Sequence, residues 1–155
     1  MAVTETEAIA ASLLIRPIVA EDAKQVAELS KQLGYEISAE AVSERISRLA
    51  ACKDTQVALV ACINTNMVGW IEAAVTHHLQ SPAHTLITGL VVRSEVRSMG
   101  VGRRLCAEVE AWSRSKGIAL LRVTSRMTRE RAHQFYLREG FTQTKTQAVF
   151  EKSLS

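Results

Sequence analysis

Two stretches of this chain carry residue types and spacings that can do chemistry. The first is Arg97-Ser98-Met99-Gly100-Val101-Gly102, followed by Arg103, between an apolar run and a helical pattern. Two glycines let backbone approach a ligand closely. A helix start presents unpaired N–H groups and the positive end of the dipole, which suits a phosphate or pyrophosphate. A tight strand-to-helix turn explains the glycines equally well. The spacing R-x-x-G-x-G fits neither the dinucleotide fingerprint nor a P-loop. The second stretch is Ala132 to Phe141, in which Phe135 and Tyr136 are adjacent. Neighbours on a helix point about 100° apart, so one ring can enter the core while the other reaches a cleft. Tyr136 as a half-buried packing residue is the plainer alternative.

The elements that must position these stretches follow from hydrophobic period and punctuation. Ser12 to Arg16 reads as a short strand stopped by Pro17. Glu21 and Asp22 open a helix whose apolar face is Ala23, Val26, Ala27, Leu29 and Leu33, ended by Gly34. Ser38 can cap a second helix carrying Val42, Ile46 and Leu49. Gln56–Ile63 and Met67–Val75 read as a hairpin turning at Asn64-Thr65-Asn66, and Thr85–Val92 as a third strand. From Gly100, Val101, Leu105, Val109 and Trp112 form one helical stripe that Gly117 ends. Ile118–Thr124 is expected as a strand. Thr128 is expected to cap a helix through Tyr136 to Glu139, and Phe141–Phe150 to form a last strand. The order β-α-α-β-β-β-α-β-α-β predicts one α/β domain on a mixed sheet over residues 1–155, with residues 1–11 a flexible N-terminal segment.

Together, R-x-x-G-x-G after a strand and A-x-x-F-Y-x-x-x-G-F past the following strand closely resemble the GCN5-related N-acetyltransferases. The element order is similar to that fold from Leu13 to Phe150. The resemblance implies a mixed sheet with a splayed parallel strand pair. It implies an enzyme that moves an acetyl group from acetyl-CoA to an amine. It assigns pantetheine pairing to the backbone of Leu90, Val91 and Val92, and pyrophosphate binding to the loop Arg97, Ser98, Met99, Gly100, Val101, Gly102 and Arg103. The amide that polarises the thioester carbonyl is expected at Val91 or Val92. Tyr136 becomes the general acid, and a phenol is a proton donor at neutral pH that a departing thiolate can use. Three positions depart from the family pattern: Arg93 where proline is common, Ser98 where glycine is frequent, and Arg129 where an asparagine often helps hold the cofactor. His77-His78-Leu79 and Ala132–Gly140 are further similar to the aminoalkylphosphonate N-acetyltransferases.

An amine acceptor must lose a proton before attack, since a simple ammonium titrates near pH ~10. Glu72 lies on the strand beside the expected splay, on the face of Trp70 and Ala74. It can bind the ammonium and pass its proton to water, or be an exposed strand carboxylate. His77 and His78 at the end of that strand, and Tyr35 and Glu36 between the first two helices, are candidates to line the acceptor side.

Composition supports this frame. Of 155 residues, 47% are hydrophobic and 23% charged, a globular balance that excludes disorder and a disulfide scaffold. Net charge is +3, too mild for a dedicated nucleic-acid binder, although Arg93 to Arg138 is basic and suits an anionic ligand. No apolar run approaches the roughly 20 residues of a membrane span, and no secretory signal opens the chain. The three cysteines lack metal spacing, and no metal is expected. The expectation is a cytoplasmic enzyme for a small-molecule amine; the family resemblance also admits a homodimer. The other readings are a protein lysine or N-terminal acetyltransferase and a non-catalytic acyl-CoA sensor.

Overall fold

The computed structural model describes residues 2–155, which divide into two compact units, 2–123 and 124–155.

The first unit opens with helix α1 (Glu5–Ser12) where a flexible segment was expected. Its start is a capping box: the Thr4 hydroxyl accepts from the Glu7 N–H at 3.1 Å, and the Glu7 carboxylate accepts from the Thr4 N–H at 2.8 Å. Strand β1 (Leu13–Pro17) follows, then α2 (Ala23–Ser30) and α3 (Ala39–Leu49). The entry to α2 is fixed by charge. Both terminal nitrogens of Arg16 donate to Asp22, at 2.8 and 2.9 Å, and the Val19 N–H donates to it at 2.8 Å. Burial pushes the Asp22 carboxyl up, but these bonds outweigh it and hold it below its ordinary range. A short 3-10 turn carries α2 to Gly34, whose φ of 87° ends it. Ser38 caps α3 through the Ala41 N–H at 3.1 Å, as its position predicts.

Strands β2 (Gln56–Ile63) and β3 (Asn66–Thr76) form the expected hairpin, with Asn64 left-handed at φ 55°. Next come β4 (His84–Val92), α4 (Val101–Ser115) and β5 (Leu121–Val123). The sheet order is β1-β2-β3-β4-β5, antiparallel except for the parallel pair β4–β5. Residues of α2 and α3, among them Val26, Leu29, Val42 and Ile46, cover Val60, Cys62, Met67 and Val91 on one face. Helix α4 crosses the other face. Val101, Leu105 and Val109 are its buried stripe, and the first two lie against the bare backbone of Gly69. The Ser113 hydroxyl donates to Val109 O at 2.8 Å and accepts from the Thr85 hydroxyl at 2.7 Å, so a buried polar pair is satisfied.

The second unit holds one regular element, α5 (Glu130–Arg138). Arg129 rather than Thr128 precedes its first turn, and no side chain caps it. The strand expected over Phe141–Phe150 is absent, and every residue from Thr142 to Ser155 is exposed. A strand needs a paired neighbour and a face to bury. This unit offers no partner strand, and Thr142 to Gln147 is polar throughout. Strand β5 is likewise shorter than the expected Ile118–Thr124, because β4 pairs with it only from Thr85 to Ile87. Among the described residues, no helix is long and apolar enough to cross a membrane.

Candidate active site

The fork between β4 and β5 organises the site. Parallel pairing stops at Ile87, while β4 stays paired with β3 as far as Val92. The β5-facing edge of Thr88–Val92 therefore has no strand partner. Alternation decides which amides face that gap. The Arg93 N–H donates to Val68 O at 2.7 Å, on the β3 side. Val91, two residues earlier, also turns its amide to β3, so Leu90 and Val92 present theirs to the fork. Of the three residues expected to pair with pantetheine, Leu90 and Val92 turn their amides into the gap. Val91 instead puts its side chain into the core, 3% exposed.

A bulge marks the same place. Glu72 opposes Gly89 and Ala73 opposes Ile87, so Thr88 is an extra residue in β4. The bulge reverses which side chains face which layer. Before it, Thr85 meets Ser113 of α4. After it, Gly89 lies under the Trp70 ring and Val91 joins the α2–α3 side. Glu72 is exposed on that face, and the Thr88 hydroxyl donates to its Oε1 at 2.8 Å. The indole N–H of Trp70 is buried without a hydrogen-bond partner among the described residues.

The glycine loop leads from β4 into α4. Gly100 is left-handed at φ 85° and has no side chain with which to cap the helix. A Cβ there would meet nothing within 4 Å, so the space over it is open. The first bond of the helix ladder runs from the Arg104 N–H to Gly100 O at 3.1 Å, which leaves the N–H groups of Val101 and Gly102 ahead of it. Donors, dipole and open space fit an anionic diphosphate. Ser98 is also left-handed, at φ 68°, which explains why glycine suits that position. The Arg97 and Met99 N–H groups are taken up within the turn, by Ser94 O and Val96 O, both at 3.3 Å. The Arg97 guanidinium donates to Gln32 at 3.0 Å and ties the loop to the end of α2. Arg93 uses what a proline lacks: its N–H bonds Val68 O, and its guanidinium donates to Met67 O at 3.0 Å.

The remaining candidates lie apart. Tyr35, 52% exposed, and exposed Glu36 sit on the α2–α3 connection. His77 and His78 are exposed beyond β3. At about 3.3 Å per residue, His77 is ~16 Å along the strand from Glu72, too far to share one amine proton. His78 stacks on His84, with ring centroids 5.2 Å apart and planes 12° apart. Sequence patterning did not single out His84. Burial first, then Arg122 and His78, push its pKa below the ordinary value. Among the described residues no cluster could hold a metal ion. In the second unit, Tyr136 is half-buried on α5, edge-on to Phe135 at 5.3 Å and to Phe141 at 5.4 Å. His133 is half-buried, and its Nε2 lies 2.9 Å from Arg126 O.

The profile of the Acetyltransferase (GNAT) family matches residues 23–141. The chain belongs to this family. It is therefore an N-acetyltransferase, and its co-substrate is acetyl-CoA. It is 29% identical to the aminoglycoside N(6')-acetyltransferase type 1 of Stenotrophomonas maltophilia over 94% of this chain and 97% of that protein. It is 35% identical to the aminoalkylphosphonate N-acetyltransferase of Salmonella typhimurium over 52% of this chain and 53% of that protein. The fold is also that of the aminoglycoside N-acetyltransferase AAC(6')-Iy, solved with the bisubstrate analogue CoA-S-monomethyl-acetylneamine. The TM-score is 0.80 at 19% identity, over 92% of this chain and 99% of that one. In this N-acetyltransferase the fork, the bulge and the glycine loop all lie on or beside β4.

Proposed function

We propose that this N-acetyltransferase moves the acetyl group of acetyl-CoA to the primary amine of a small molecule, by direct attack in a ternary complex. The observation that carries the reading is the fork: unpaired amides at Leu90 and Val92, a left-handed glycine opening α4, and an exposed carboxylate on the neighbouring strand.

The roles follow from chemistry. The Leu90 and Val92 edge pairs with the pantetheine arm, and the loop Arg97–Arg103 takes the pyrophosphate. Glu72 binds the acceptor ammonium and passes its proton to water. The amine nitrogen then bonds to the thioester carbonyl carbon as the carbon–sulfur bond breaks, and its remaining excess proton leaves to water, from which Tyr136 is reprotonated after the transfer. The Val92 N–H polarises the carbonyl oxygen, and Tyr136 gives the departing thiolate its proton. Tyr35, Glu36, His77 and His78 are assigned to acceptor binding. Two of the three cysteines support direct transfer: Cys62 and Cys106 are buried, and burial, against the nearby Arg16 charge, pushes the Cys62 thiol up. Full-length similarity to an aminoglycoside acetyltransferase favours a small amine over a protein lysine.

A thiol-release assay tests this, with acetyl-CoA and a panel of neamine, 2-aminoethylphosphonate, a polyamine and lysine peptides. Turnover on a small amine is expected. Turnover confined to peptides gives a protein acetyltransferase instead. Acetyl-CoA binding without any turnover gives a sensor.

A further inference from the structure

We propose that Thr88 is a positioning residue for the acceptor carboxylate; the inference rests on the reading of Glu72 above. The Thr88 hydroxyl lies 2.8 Å from Glu72 Oε1 and 3.3 Å from the Glu72 carbonyl oxygen. A hydroxyl donates one proton, and the shorter, charged acceptor takes it. No other hydrogen bond or ion pair to the Glu72 carboxylate exists among the described residues. One carboxylate oxygen is thus held by the fork and the other is left for a cation.

The backbone explains why Thr88 can do this. It is the extra residue of the bulge, and it is the first residue of β4 past the last β5 pair, Ile87 with Val123. In a regular strand residues 88 and 89 would face opposite sides. Here Thr88 reaches Glu72 and Gly89 lies against Trp70, so both face the Glu72 side. The irregularity that opens the fork also supplies the hydroxyl that orients Glu72. An exposed glutamate otherwise samples several rotamers, and a fixed one presents its free oxygen in a single direction relative to the Leu90 and Val92 amides. Specificity for where an amine sits on its carrier then depends on Thr88 as well as on Glu72.

The test is steady-state kinetics with neamine and 2-aminoethylphosphonate as acceptors. Thr88→Val keeps the β-branched shape and removes the donor. It is expected to raise the acceptor KM about ten-fold, the scale of one hydrogen bond to a charged group. The acetyl-CoA KM should stay within two-fold and the urea midpoint should not move. Thr88→Ser should recover most of the loss. In a Glu72→Gln background, Thr88→Val should add nothing. A Thr88→Val enzyme with wild-type acceptor KM, beside an impaired Glu72→Gln, overturns the role of Thr88 and leaves Glu72 standing. Equal losses from Thr88→Val in both backgrounds show that Thr88 acts other than through Glu72, and also overturn it. A Glu72→Gln enzyme with wild-type kinetics, or a wild type inactive on these two amines and on the polyamine, removes the underlying reading and this inference with it.

Discussion

The Trp70 ring lies so close to Gly89 that a Cβ at residue 89 would come within 2.6 Å of its Cζ3 and 2.7 Å of its Cη2. Trp70 is packed against the core layer that contains Val91 and the helices above it. The glycine is therefore a steric requirement of the cross-strand contact beside Glu72, not a turn residue.

Gly89→Ala should displace that ring. Overpacking of this kind costs about 1–3 kcal/mol, because a rigid indole held by its neighbours has no cheap way to yield. The urea midpoint should fall accordingly, and the tryptophan emission should change. The acceptor KM should rise, since residue 89 opposes Glu72 in the ladder. An alanine variant with unchanged stability and emission would show that the ring can move aside.

The glycine loop allows a paired prediction with opposite signs. Ser98 sits at φ 68°, which costs a residue with a Cβ roughly 1 kcal/mol relative to glycine. Ser98→Gly should stabilise the protein by about that amount and leave acetyl-CoA affinity within two-fold. Gly100 sits at φ 85° beneath open space. Gly100→Val strains the backbone and fills the space assigned to pyrophosphate, so the acetyl-CoA Kd by calorimetry should rise at least about ten-fold. An unchanged Kd in the valine variant would move the pyrophosphate elsewhere.

Tyr136→Phe separates chemistry from packing. The ring is held edge-on by Phe135 and Phe141, and phenylalanine keeps those contacts. Loss of the hydroxyl should lower kcat by about 100-fold or more, the range of a general acid, with acetyl-CoA Kd nearly unchanged. Wild-type kcat in the variant removes Tyr136 as the acid.

Much of this arrangement is legible in the residues. The hairpin at Asn64, the α4 stripe and the glycine loop are set by local pattern and local turn chemistry, and each stands where the sequence puts it. The misses in the sheet share a cause: they depend on pairing between distant segments. Nothing in Ile87-Thr88-Gly89-Leu90 announces a bulge, because its cause is the register against Glu72 and Ala73. The short β5 and the missing strand after Phe141 reflect which partners are at hand, not strand propensity. His84 was invisible for the same reason, since its burial comes from the layers around the start of β4.

That burial yields a pH prediction. His84 is 3% exposed and stacked on His78. Its folded pKa lies below the ordinary 6.5, through burial first and then the charges of Arg122 and His78. The unfolded chain thus takes up this proton at a higher pH than the folded protein does. Above 6.5 both states carry a neutral imidazole, and the stability contribution is fully present. As pH falls from there toward the folded pKa, the unfolded state gains the proton first and stability is lost. Urea midpoints measured at stepped pH values from about 8 down to 5.5, above the ordinary carboxylate range, should decline toward the acid end. His84→Gln removes the titrating group while keeping a polar side chain of similar reach, so its midpoints should run flatter over that window even if they begin lower. A wild type and a variant with parallel slopes would assign the pH dependence to groups other than His84.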